Sequence, residues 1–266
     1  MFELLKEATT AGSEILLNYF RTEILDISNK TGHQNIVTQA DKESQQAIQD
    51  TIIRLMKEKG ETDIGFIGEE DLLQQGRHMF VIDPLDGTSN FVSGIDYFCI
   101  PIAYFKDGEL IAGIVLRPTT GDIYYAEKGK GAFVIRNNKK VDLKISNSDL
   151  KLKMFCCYSE DLILLDPPLR AKIEKKFIEF RGVRAQGAAA LDIVGVAENT
   201  YGCTMLGDGP SIWDIAASKI ILEEAGGKMY NWDGTDLTTD ITNNKQKYTC
   251  VACSPRDKEQ IFSSLL

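Results

Sequence analysis

The chain has 266 residues, 43% of them apolar, which is enough to bury the core of one large domain or two small ones. Its 30 Lys and Arg against 39 Asp and Glu give a net charge of −9, which argues against the basic face that nucleic-acid backbone binding needs and fits equally a protein that concentrates carboxylates for metal or a generic acidic soluble surface. No apolar run approaches the roughly 18 residues of a membrane span, and the amphipathic opening Phe2-Glu3-Leu4-Leu5-Lys6 is not a signal peptide, so a cytoplasmic protein without membrane or nucleic-acid partners is expected.

Apolar residues at helical spacing predict helices over 2 to 21 and 41 to 59. A short strand-like run, Ile64-Gly65-Phe66-Ile67, then ends in Gly68-Glu69-Glu70-Asp71. A second, Met79-Phe80-Val81-Ile82, ends in Asp83-Pro84-Leu85-Asp86-Gly87-Thr88-Ser89-Asn90-Phe91. Residues 98 to 135 read as an antiparallel meander, with hairpin turns at Lys106-Asp107-Gly108-Glu109 and Gly129-Lys130-Gly131. From 142 onward strand and helix alternate. Strands are predicted at 153 to 157, 202 to 206, 228 to 230 and 248 to 253, and helices near 169 to 179, 188 to 198, 214 to 225 and 256 to 264. Asp214 opens the third of these helices and Gly226-Gly227 caps it. The division expected is therefore an N-terminal half, 1–141, of helices and antiparallel sheet, and a C-terminal α/β half, 142–266, carrying Asp214. The acids of the two halves would meet at the cleft between them.

The segment from Asp83 to Phe91 is the most informative. Pro84 fixes its own φ and pushes Asp83 toward extended geometry, and Gly87 removes bulk where the backbone turns. Such a corner can aim two carboxylates and several N–H donors at one point, suiting hard cations and phosphate oxygens. Ordinary turn chemistry is the competing reading. The acids of the segment stand three apart, not two, which rules out the aspartyl-phosphate mechanism of haloacid-dehalogenase-type phosphatases.

Together, four motifs in order resemble the inositol monophosphatase superfamily of magnesium-dependent, lithium-sensitive phosphatases. They are Asn35-Ile36-Val37-Thr38-Gln39-Ala40-Asp41 (Asn35 replacing the family's first Asp), Gly68-Glu69-Glu70, Val81-Ile82-Asp83-Pro84-Leu85-Asp86-Gly87-Thr88, and Trp213-Asp214-Ile215-Ala216-Ala217-Ser218 with Gly226-Gly227. The resemblance covers nearly the whole chain. It implies a layered α/β (α+β) sandwich of the sugar-phosphatase type, a homodimer, and a small phosphate ester as substrate. It also implies two or three magnesium ions, with manganese able to substitute.

By the same resemblance Asp83 bridges two ions, Glu69 and the Leu85 carbonyl complete one site, and Asp86 and Asp214 complete the other. Glu69, Thr88 and Asp41 activate water, and the Gly87 and Thr88 amides hold phosphate together with Asp86. Glu70 aids a third ion or is simply solvated. Lys30 lies near the metals or is an exposed loop charge. Gly187-Ala188-Ala189-Ala190-Leu191-Asp192 resembles the loop that lines the polyol side. The inositol enzymes carry a Glu seven residues before the helix Asp, where this chain has Gly207. The adjacent Asp208 either accepts a substrate hydroxyl or initiates the Gly209-Pro210 turn. The function expected is hydrolysis of inositol monophosphate or related small polyol and sugar phosphates. Fructose 1,6-bisphosphate, histidinol phosphate and adenosine bisphosphates are the alternatives.

Cys250-Val251-Ala252-Cys253 has metal spacing but sits on a predicted strand, where side chains three apart point to opposite faces; the six cysteines are expected to be buried thiols. His33 and His78 are expected at the surface, and with only two histidines a His-rich zinc site is not expected.

Overall fold

The computed structural model describes residues 1–21, 27–29, 36–158, 162–163, 165–207 and 209–263; Lys30, His33, Asn35 and Asp208 lie outside them. Helices α1 (Phe2–Tyr19) and α2 (Gln39–Glu58) bury Leu4, Leu5, Ala8 and Leu16 on one and Ile48, Ile52 and Met56 on the other, the stripes their spacing predicts. Strands β1 (Ile27–Asn29) and β2 (Ile36–Thr38) pair between them.

Eight strands then make one sheet: β3 (Ile64–Gly68), β4 (Leu72–Gln74), β5 (His78–Ile82), β6 (Ile100–Lys106), β7 (Glu109–Arg117), β8 (Asp122–Glu127), β9 (Ala132–Arg136) and β10 (Lys139–Leu143). Their order is β10-β9-β8-β7-β6-β5-β3-β4, antiparallel except for β3 beside β5. The five-residue helix α3 (Thr88–Val92) interrupts the run. A second sheet contains β11 (Met154–Cys157), β12 (Gly182–Arg184), β13 (Tyr201–Leu206), β14 (Lys228–Tyr230) and β15 (Cys250–Cys253), in the order β12-β11-β13-β15-β14. Between and around these strands run α4 (Pro167–Lys176), α5 (Ala189–Ala197), α6 (Ile212–Glu224) and α7 (Lys258–Phe262).

The buried clusters show the layering. Helices α1 and α2 cover one face of the large sheet, on Phe66, Phe80, Ile82, Ile100 and Ile114. Helices α5 and α6 fill the space between the sheets, against Val81, Ala103 and Val115 on one side and Cys156, Leu206 and Ala252 on the other. A third cluster, with Phe155, Met205 and Val251, packs on Ile173 of α4 and Ile261 and Phe262 of α7. The result is a helix–sheet–helix–sheet–helix sandwich, the layered α/β class expected. Gly113 lets α6 approach: a Cβ there would stand 2.5 Å from the Ala217 carbonyl oxygen.

All six cysteines are buried and none is in a disulfide, and Cys250 and Cys253 face opposite cores. His78 overturns its expectation as a surface residue. It opens β5 at 3% exposure, its Nδ1 2.7 Å from the Tyr104 hydroxyl and its Nε2 3.1 Å from Glu61. The polar neighbour Arg77 suggested exposure, but strand geometry turns the imidazole inward.

Candidate active site

Strand pairing assembles the acids. Strands β3 and β5 run parallel with Gly68 opposite Ile82, so the next residues, Glu69 and Asp83, leave the sheet side by side. The chain after Asp83 is folded back onto β6. Asp83 N donates to Pro101 O at 3.2 Å, and Asp86 and Cys99 exchange both backbone bonds at 2.9 Å. Gly87 sits at φ +90°, and a Cβ there would meet the Tyr97 carbonyl oxygen at 2.9 Å, so both conformation and space require glycine. Helix α3 starts at the next residue. Thr88 Oγ1 donates to the Leu85 carbonyl at 3.0 Å.

Helix α2 closes the site from one side. Asp41 is buried in its first turn. Ser44 and Gln45, three and four positions later, lie on the same helix face. Ser44 donates to the Pro84 carbonyl at 3.1 Å, and Gln45 donates to the Glu70 carbonyl at 3.2 Å. Those two contacts were legible as helical spacing from Asp41, but no chemistry in the sequence marked them.

Helix α6 closes the other side. It begins at Ile212 after the N-cap Ser211, so Asp214 is its third residue rather than its opening one. Ser211 N donates to the Asp214 carboxylate, and Lys247 Nζ donates to Ser211 Oγ at 2.7 Å. The Asp83 carboxyl is close enough to Asp214 to act on its charge. The loop from 187 to 190 completes the wall: the Ala189 and Ala190 amides, at the start of α5, donate to Asp86 at 3.0 and 2.7 Å. Gly187 takes φ +83°, and Asn90 donates to the Gln186 carbonyl at 2.7 Å. A cleft of about 230 Å³ lies between these parts, lined by Asp86, Tyr158, Gly187, Ala189, Leu206, Gly209, Pro210 and Asp214. Ala188 is fully buried behind it. Glu69 lines an adjoining groove with Trp213 and Lys247.

The acids repel one another in a dry place. Burial pushes Asp83 well above the usual carboxylate range, and the charges of Glu69, Asp214 and Asp86 push it further. Burial, then Asp214, raises Asp86 to about 8 against the opposing Ala190 amide and Cys99 thiol. Burial raises Asp214 to about 6, with Ser211 and Lys247 opposing. Among the described residues, no three His, Cys, Asp or Glu side chains are already grouped around one point as an ion site. Asp83, Asp86 and Asp214 each accept a bond from a nearby backbone amide instead. The donor set nevertheless fits a hard divalent cation. It is all oxygen, and the burial that lifts all three carboxyls, with the neighbouring charges that lift Asp83 and Asp86 further, is what a cation offsets.

Nothing local in the sequence marks Tyr158, Tyr97, Lys247 or Cys99 as parts of the site, and Asp192 is marked only as the end of the polyol-side segment. They come from separate elements, and no local pattern joins them.

The sequence profile of the inositol monophosphatase family matches residues 1–265. A Thermotoga maritima protein named fructose-1,6-bisphosphatase/inositol-1-monophosphatase is 32% identical over 232 residues, 85% of this chain and 82% of its own. The Rhizobium meliloti inositol-1-monophosphatase is 31% identical over 235 residues, 84% of this chain and 82% of its own. The solved structure of the extragenic suppressor protein suhB from Bartonella henselae superposes with a TM-score of 0.82 at 26% identity, covering 99% of this chain and 97% of that one.

Proposed function

Because this chain belongs to the inositol monophosphatase family, and its Thermotoga maritima and Rhizobium meliloti relatives are named as phosphatases, we propose that it is a magnesium-dependent phosphatase of inositol monophosphate and related small polyol and sugar phosphates. The observation that carries this reading is the meeting of Glu69 and Asp83, set side by side by the β3–β5 register, with Asp86 and Asp214. In this proposal Glu69, Asp83, the Leu85 carbonyl, Asp86 and Asp214 would hold two ions, with Glu70 near a third, and the bound ions neutralise the phosphate dianion and acidify water.

The chain's own groups do the rest. The Thr88 hydroxyl, held on the Leu85 carbonyl, orients the attacking water. Glu69 and Asp41 take its proton. The Gly87 and Thr88 amides, which a helix start leaves without intrahelical partners, face the phosphate oxygens. Asp86 is fixed by the Ala189 and Ala190 amides, so the polyol-side loop and the acid are one unit. Gly207 offers no side chain to a polyol, which supports a permissive leaving-group pocket. Asp208→Ala is then expected to change relative preference among substrates by under about tenfold, a step of roughly 1.4 kcal/mol.

Lithium inhibition, a homodimer and a cytoplasmic setting belong to the same proposal and rest on family membership. No described helix is long and apolar enough to cross a membrane. Fructose 1,6-bisphosphate is a second candidate substrate, supported by the name of the Thermotoga maritima relative. The test is phosphate release from inositol 1-phosphate, glycerol 2-phosphate, a hexose monophosphate and fructose 1,6-bisphosphate, with and without magnesium. Turnover of the monoesters that appears only with magnesium is expected, and no release from any of them refutes the reading.

A further inference from the structure

Apart from its two acids, the cleft beside Asp86 has one polar side chain among the described residues, that of Tyr158. This residue directly follows β11, and β11 pairs with β13, whose last residue Leu206 stands in the same cleft. Tyr158 is therefore set on the sheet rather than on a free loop. Its hydroxyl is committed on one side. It donates to Asp192 Oδ2 at 2.9 Å, while the Tyr97 hydroxyl donates to Oδ1 at 2.8 Å.

Asp192 has no exposed surface, sits in the first turn of α5, and its main-chain carbonyl accepts from the Thr204 hydroxyl at 2.8 Å. Each oxygen of this carboxylate is thus matched by one phenol. A phenol has one proton and spare lone pairs. With the proton given to Asp192, the Tyr158 oxygen can only accept from whatever enters the cleft. Burial and the charges of Asp192 and Asp86 also hold its proton firmly, so it is not an acid or base in the reaction.

We propose that Tyr158 is a specificity residue, an acceptor-only phenol that takes a hydrogen bond from a free hydroxyl on the leaving group and so selects hydroxylated phosphate esters as a class. This rests on the phosphatase reading above and adds the class of leaving group. The chemistry of the position explains why the side chain at Gly207 can be absent. One acceptor still rewards a neighbouring hydroxyl, but a single point of contact does not distinguish one polyol from another. A site with a buried polar group discriminates against the analogue that leaves it unpaired. The same network has a second consequence. Asp192 lies two residues after Ala190 on the helix start whose amides hold Asp86, so the tyrosine–aspartate unit also steadies the catalytic wall.

The test uses a matched pair, glycerol 2-phosphate and isopropyl phosphate, which differ only by two hydroxyl groups. The ratio of their kcat/KM values reads hydroxyl recognition and cancels any general loss of the catalytic wall. Tyr158→Phe keeps the ring and removes the oxygen. It is expected to lower the ratio about tenfold. A ratio within twofold of the unsubstituted protein, whether both activities fall together or neither falls, overturns the assignment and leaves the phosphatase reading standing. Release of phosphate from neither ester by an unsubstituted protein that hydrolyses inositol 1-phosphate overturns this assignment alone, and release from none of the monoesters overturns the phosphatase reading with it.

Discussion

Single residues carry the site's most specific demands. Gly87 combines φ +90° with a Tyr97 carbonyl oxygen 2.9 Å from where a Cβ would be. Gly87→Ala is therefore expected to cost about 1–3 kcal/mol and to displace Thr88, seen as a lower melting temperature together with lost turnover; wild-type melting would contradict the geometry. Thr88→Ala removes the hydroxyl held by Leu85 while leaving every carboxylate in place. It should depress kcat by about 10²–10⁴-fold with a much smaller change in the magnesium concentration for half-maximal activity. A shift mainly in magnesium dependence would mean that Thr88 serves the ions rather than the water. Glu69, Asp83 and Asp86 were legible in the sequence because they follow apolar strand runs, and Asp214 because it stands at the head of a helical pattern. Tyr158, Asp192 and Tyr97 were not. Their partnership spans three elements, and nothing local in a tyrosine after a strand announces a buried carboxylate behind it.

At the scale of elements, the long helices and the apolar strands stand close to where periodicity placed them. Five short strands, β1, β2, β4, β10 and β12, were not foreseen, and the last three show why the signal is missing. In β10 four of five residues are exposed, β4 presents two of three to solvent, and β12 is a three-residue edge of the second sheet. Such strands are defined by their neighbours' unpaired backbone rather than by their own composition. The parallel pairing of β3 with β5 was also invisible, although it does the positioning of Glu69 and Asp83. Burial of His78 at the start of β5 ties this pair to β6 through Tyr104. Tyr104→Phe leaves a buried imidazole nitrogen without that partner and should cost about 1–3 kcal/mol. Chemical denaturation should show the loss while magnesium-dependent turnover of the folded protein changes little. A stability equal to the unsubstituted chain would mean that His78 finds water instead.

The whole molecule places its acids where two cores meet, and this makes its stability depend on pH and on divalent ions. Asp83 is raised well above its ordinary range, Asp86 to about 8 and Asp214 to about 6. Carboxyls raised in the folded state keep their protons while the unfolded chain loses them above pH of about 4. The unfolded state is then increasingly favoured as pH rises from about 4 through the raised folded-state values of these carboxyls. The chelator-treated protein should therefore melt at lower temperature at pH 8 than at pH 6. Magnesium, binding the folded state and competing with those protons, should raise the melting temperature more at pH 8. An equal effect of magnesium at both values would separate the raised carboxyls from the ion sites. The central claim is that these carboxylates hold magnesium for phosphate ester hydrolysis, and Asp83 is the acid that feels the charges of Glu69, Asp86 and Asp214 together. Phosphate release from inositol 1-phosphate across a magnesium titration, for the unsubstituted chain and for Asp83→Asn, tests it most directly. Release that rises with magnesium, stops in excess chelator, and falls at least about a thousandfold in the variant, roughly 4 kcal/mol, is the expected result. Undiminished release in chelator, or near-unsubstituted rates for Asp83→Asn at saturating magnesium, would contradict it.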